Sequence, residues 1–125
     1  MFIINEDGSI YLTRGDIAVL EITAGETETS NYTFRAGDVV RFKVFEKKRC
    51  DNVVLCKDTI IGEESEVAVI KLTKTDTKLG DLINKPTDYW YEVELNPDTS
   101  PQTIIGYDAD GPKIFRLFPE GDDVE

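Results

Sequence analysis

The sequence predicts an all-β fold, a β-sandwich of seven to nine short strands or a barrel, and three observations carry that expectation. Apolar and polar residues alternate with a period of two from end to end. Turn chemistry interrupts the alternation at short intervals. No stretch has the apolar spacing of a long amphipathic helix.

The runs follow in order. Ile10 and Leu12 alternate with Tyr11 and Thr13. Ala18, Leu20 and Ile22 alternate with Val19, Glu21 and Thr23. Val40, Phe42 and Val44 alternate with Arg41, Lys43 and Phe45. Weaker runs lie at 53–61, 66–72, 103–106 and 113–118. Tyr89, Tyr91, Val93 and Leu95 alternate with Trp90, Glu92 and Glu94. Between them stand Asp7-Gly8, Gly15-Asp16, Gly37-Asp38, Asp51-Asn52, Asn96-Pro97-Asp98 and Asp110-Gly111, all turn formers. Leu20, Ile22, Phe42, Val44, Ile70, Tyr91 and Val93 are expected inside, because a one-residue slip would turn each strand inside out. The terminal runs Ile10–Thr13 and Lys113–Phe118 are short and carry few charges, which marks them as candidate sheet edges.

One segment breaks the strand grammar. Thr73-Lys74-Thr75-Asp76 has the form of a capping box, with Thr73 as N-cap and Asp76 reaching back. Gly80 is placed to end it, so one short helical turn is expected near 74–80.

At 125 residues the chain suits a single domain, 1–125, with 119–125 an acidic tail expected to fray. Apolar residues make up 40% and the net charge is -11. Such an acidic excess argues against binding nucleic acid or an anionic membrane and suits a basic partner. Most of these acids read as solvated surface. The opening residues lack the basic and apolar regions of a signal peptide, and no span is long enough to cross a membrane, so synthesis in a cytoplasm is expected. Cys50 and Cys56 are the only cysteines, and a reduced pair is expected. Cys56, in an apolar run, reads as a buried small hydrophobe. Histidine is absent, which removes the commonest general base and the commonest transition-metal ligand.

Candidate sites are few, and most have plainer explanations. Arg14-Gly15-Asp16 spells the integrin-binding tripeptide, but a turn between two strands accounts for it. Asp108-Ala109-Asp110-Gly111 opens like a calcium loop, yet the twelfth position is Pro119, which cannot ligate, and Asp110-Gly111 suits a hairpin turn. Glu63 with Glu64, and Asp122 with Asp123, lie in polar stretches where nothing would separate their pKa values. No Gly-rich phosphate loop is present. The reading is of no catalytic residue, no metal and no cofactor. Tyr89 and Tyr91 share one strand face and Trp90 takes the other, where it would anchor an interface or pack beneath a loop. Phe115 and Phe118 fall on opposite faces of the last run, leaving one for the outside. Trp90, Phe115 and Phe118 are therefore the candidate interface residues.

The order of the motifs adds a resemblance. Leu12-Thr13-Arg14-Gly15-Asp16 is followed by Phe34-Arg35-Ala36-Gly37-Asp38-Val39-Val40-Arg41-Phe42-Lys43-Val44. Lys71-Leu72-Thr73-Lys74-Thr75-Asp76-Thr77, Trp90-Tyr91-Glu92-Val93-Glu94-Leu95 and Gln102-Thr103-Ile104-Ile105-Gly106 come after. From about Ser9 to Phe118 this resembles the small β-sandwich proteins of Firmicute prophages and tailed phages, similar to the N-terminal domain of the upper baseplate protein family. The resemblance implies an immunoglobulin-like antiparallel β-sandwich and a structural, non-enzymatic role in a phage tail or baseplate. It also implies other virion proteins, or further copies of the chain, as partners, and the virion as location. Two other readings remain open: a bacterial immunoglobulin-like adhesion or interaction domain, which would need an export signal, and a small acidic inhibitor or an enzyme of unfamiliar chemistry.

Overall fold

The computed structural model describes residues 2–24, 32–47, 51–79, 85–106 and 113–119. Among them are nine strands and no helix: β1 (Phe2–Ile4), β2 (Ile10–Thr13), β3 (Ala18–Ile22), β4 (Val39–Lys47), β5 (Asp51–Ile60), β6 (Ala68–Leu72), β7 (Thr87–Leu95), β8 (Gln102–Ile105) and β9 (Lys113–Phe118). Seven join one sheet in the order β1-β2-β9-β7-β4-β5, with β8 on β7. The other two, β3 and β6, pair antiparallel as a separate ribbon.

The alternation dictates how these layers meet. On β4 and β7 every second residue, from Val40 to Val44 and from Tyr89 to Leu95, is buried. On β3 and β6 the buried positions are Ala18, Leu20, Ile22, Ala68, Ile70 and Leu72. These two apolar faces share one core, in which Phe42 packs against Tyr91 at 5.5 Å and Phe115 at 6.0 Å between ring centroids. All seven residues expected inside are buried.

Pairing among the described strands is antiparallel except where β2 runs parallel to β9, with Ile10 opposite Phe115 and Leu12 opposite Leu117. A parallel pair needs a long connection, and here it takes most of the chain. This corrects the expectation of purely antiparallel sheets. It also removes the two terminal runs as edges. β2 lies between β1 and β9, and β9 lies between β2 and β7. Among the described residues the strand order ends on β1 and β5, and β8, paired with β7 alone, is a third, short edge.

Two further expectations change. Residues 73–78 form the reciprocal capping bonds, Thr73 N–H to the Asp76 carboxylate at 2.9 Å and Asp76 N–H to Thr73 Oγ1 at 3.2 Å. Yet 74–77 is a hydrogen-bonded turn and not a helix, and Gly80 lies outside the described residues. The turn serves as an anchor: buried Thr77 donates to the Asp16 carbonyl, and Arg14 Nε donates to the Leu79 carbonyl. Arg14 is itself buried and Gly15 has φ +87°, so Arg14-Gly15-Asp16 is a structural turn. Cys56 is exposed, not buried. It sits opposite Lys43 on the outer face of an edge strand, where the second layer does not reach. Cys50 and the loop from Asp108 to Gly111 lie outside the described residues.

Phe42→Ala should cost about 3–5 kcal/mol in denaturant unfolding, because it opens a cavity between two aromatic neighbours. Cys56→Ser should stay within about 0.5 kcal/mol, since its side chain is exposed.

Candidate functional site

The three candidate interface aromatics separate by strand register. Phe115 faces the core and is 0% exposed, so it is not available to a partner. Trp90 faces outward with Phe45 and Ile114 as its direct cross-strand neighbours. Val44 and Phe45 are both buried, Val44 on the core face and Phe45 on Trp90's side of the sheet, beside the bulge that Val54 makes in β5. Trp90 is half-buried in this setting. Phe118 also takes the outer face, edge-on to Tyr11 at 5.6 Å. Arg116 lies over the Tyr11 ring at 5.1 Å and grips Asp88 through Nε and Nη2.

Beyond Trp90 the outer face becomes charged. Lys43 Nζ meets Glu94 at 2.6 Å, and Arg41 bridges Asp58 at 2.7 Å and Asp98 at 3.1 Å. The Lys43 ammonium holds the Glu94 carboxyl below its usual range, while burial pushes Glu92 up. These pairs tie β4 to β5, β7 and the turn after β7. They read as structural, since each acid already has a cation beside it or a neighbouring carboxyl. Among the described residues, no group of three or more cysteines and acids could hold a metal ion.

The two end strands of the large sheet, β1 and β5, differ. β5 carries the devices that discourage strand addition: the bulge opposite Phe45, a positive φ of 62° at Asn52, exposed Asp58, and Lys57 tied to Asp76 at 2.8 Å. β1 has none of these. Phe2, Ile3 and Ile4 are 37%, 45% and 52% exposed, and among the described residues β1 pairs with β2 alone. Phe2 and Ile4 stand opposite Leu12 and Ile10, continuing the core face, while Ile3 stands opposite Tyr11 and extends the outer aromatic patch. Three apolar residues in a row give no period-two signal, so the sequence concealed this strand.

Beside β1 lies a pocket of about 540 Å³. Buried Ile10, Leu20 and Ile22 form its apolar floor, with half-buried Ile104 and Ile105 of β8 alongside. One wall is the turn between β1 and β2, which is closely bonded. Asn5 N–H donates to the Ser9 carbonyl and Gly8 N–H to the Asn5 carbonyl. Ser9 donates to the Asp7 carboxylate through both its N–H, at 2.9 Å, and its hydroxyl, at 2.7 Å, which holds Asp7 below its usual range. Gly8 has φ +90°, and a Cβ there would come within 3.1 Å of the Lys113 stem. Lys113 Nζ donates to the Asp7 carbonyl at 2.9 Å, and the Tyr91 hydroxyl donates to the Gly8 carbonyl. Two distant strands, through Tyr91 and Lys113, thus fix one turn. Only Asp7-Gly8 hinted at it in the sequence.

Compared with known proteins, the chain matches no protein-family model, no curated protein and no solved structure.

Burial pushes the Tyr91 hydroxyl up to about 12, from a usual 10, with the Asp7 charge adding to the effect. A pKa raised on folding stabilises the fold at pH values below the unfolded value and ceases to do so as pH rises through the folded value. Unfolding free energy should therefore fall between pH 10 and 12. Tyr91→Phe should flatten that slope and cost about 1 kcal/mol at neutral pH, through the lost bond to Gly8. Denaturant titrations at a series of pH values check both.

Proposed function

We propose that this chain is a non-enzymatic docking module that receives a strand of a partner protein on the free edge of β1. The observation that carries this reading is the contrast between β1 and β5, the two ends of the large sheet's strand order. Both strands expose apolar side chains, Val53, Val54 and Ile60 on β5 and Phe2, Ile3 and Ile4 on β1, but β5 is bulged, charged and tied to Asp76, whereas β1 among the described residues pairs with β2 alone and carries no charge. An edge of that kind invites another strand, and strand addition is an established mode of protein recognition.

Charge selects the partner. Glu6 and Asp7 follow β1 directly, and the chain as a whole is at -11. A strand with apolar residues flanked by lysine or arginine complements this edge, while a second copy of the chain meets like charge. The motif order supplies the setting: an immunoglobulin-like sandwich acting as a structural or assembly subunit of a phage tail or baseplate. In that setting the partner is another virion protein and the chain works in the virion. The packing of two sheets over one core supports the sandwich part of this reading.

The test is co-purification of the chain with each product of its neighbouring genes, wild type beside Ile3→Lys. Ile3 is exposed, so the variant should keep its melting temperature. Partner affinity should fall by at least about tenfold, equivalent to roughly 1.4 kcal/mol. Binding should weaken with added salt and should protect the amides of Phe2–Ile4 from hydrogen exchange. A partner that binds wild type and variant equally, or a full set of neighbours that do not bind, would overturn the reading.

A further inference from the structure

We propose that the pocket beside the β1–β2 turn is a binding site for a small ligand with an apolar body and a cationic head, of the alkylamine class. Its volume of about 540 Å³ falls in the range of small-molecule pockets. Its floor of isoleucine and leucine offers water no hydrogen bonds, so an aliphatic body displaces that water favourably.

The polar groups choose the head. The charged lining residues are Glu6, Asp7, Glu21 and Lys113; Glu21 stands on the face of β3 opposite Leu20 and Ile22, which leaves the two carboxylates of the turn, Glu6 and Asp7, against one ammonium. The Lys113 ammonium is engaged, donating to the Asp7 carbonyl across Gly8. The Tyr91 hydroxyl hydrogen is spent on the Gly8 carbonyl, which leaves its oxygen only acceptor capacity. The turn side of the site is therefore rich in acceptors, and beside the engaged Lys113 the other side-chain donors in the lining are the hydroxyls of Thr23 and Thr103. An ammonium supplies what it lacks, a neutral alcohol supplies less, and a carboxylate meets like charge. The wall is set before any ligand arrives, because Asn5, Asp7, Ser9, Tyr91 and Lys113 already hold the turn with hydrogen bonds.

This inference does not depend on docking at β1. Ile3 faces away from Ile4, which lines the pocket, so Ile3→Lys should leave amine binding unchanged.

The test is an amide-resolved NMR titration of the full chain with hexylamine, 1-hexanol and hexanoate. Hexylamine should give saturable shifts at Gly8, Ile10, Ile22 and Ile105. Hexanol should bind at least about threefold more weakly, and hexanoate not measurably. Ile104→Trp should fill the space and abolish the shifts. Glu6→Gln, at an exposed position of the turn, should weaken hexylamine without altering hexanol. Equal binding of the three probes, shifts confined to other regions, no saturation at millimolar hexylamine, or hexylamine affinity unchanged in Glu6→Gln would each overturn the proposal.

Discussion

The shared register of β4 and β7 is the constraint on which the rest of the structure depends. Phe42 stands opposite Val93 and Val44 opposite Tyr91, all facing the core, while Arg41 and Lys43 stand opposite Glu94 and Glu92 outside. A slip of one residue would exchange these sets and bury four charges. The outer ion pairs therefore do more for specificity than for stability. Exposed pairs contribute little each, but a slipped register would separate every one of them from its partner. With β4 and β7 fixed, β9 takes its place through Tyr89 and Phe115, and β2 follows on β9. The ribbon of β3 and β6 then covers the apolar face that remains.

Much of this was legible in the sequence, for a reason that also sets the limit. Alternation is a local signal, and on β3, β4, β6 and β7 each residue reports which face it occupies. Whether a strand is an edge depends on its neighbours in space, which no local pattern records. Ile10–Thr13 and Lys113–Phe118 looked like edges because they are short and poor in charge. Both are internal, since β1 covers one and β2 the other. β1 itself left no signal, because both of its faces are apolar. Cys56 misled in a related way: Val53, Val54 and Leu55 precede it, but only alternate positions of β5 turn toward the core.

The sites divide along the same line. Trp90 was correctly assigned to the outer face, because Tyr89 and Tyr91 flank it on the inner one. The pocket had no sequence signature. Lys113, Tyr91 and Gly8 are far apart in the chain, and only the pairing of Tyr91 with Lys113, and of β2 with β9, brings them together. What could have been noticed is that Asp7-Gly8-Ser9 demands a tight turn, and that a lysine opening a core strand must take its charge somewhere.

The position of β9 has a consequence for how the chain reaches this state. The last strand made lies in the interior of the large sheet, between the second strand and the seventh. During synthesis β3, β4, β5, β6 and β7 can assemble early, but β1 and β2 have nothing to join until residues 113–118 emerge. Until then, the apolar hairpin Phe2–Thr13 is an unattached ribbon, and the part of β7 from Thr87 to Tyr91 lacks its partner on that side. Pairing across such a sequence distance is slow to form, and a partly made chain of this topology exposes its stickiest segment first. The acidic residues after β1, Glu6 and Asp7, sit where they can keep nascent hairpins apart until the final strand closes the sheet.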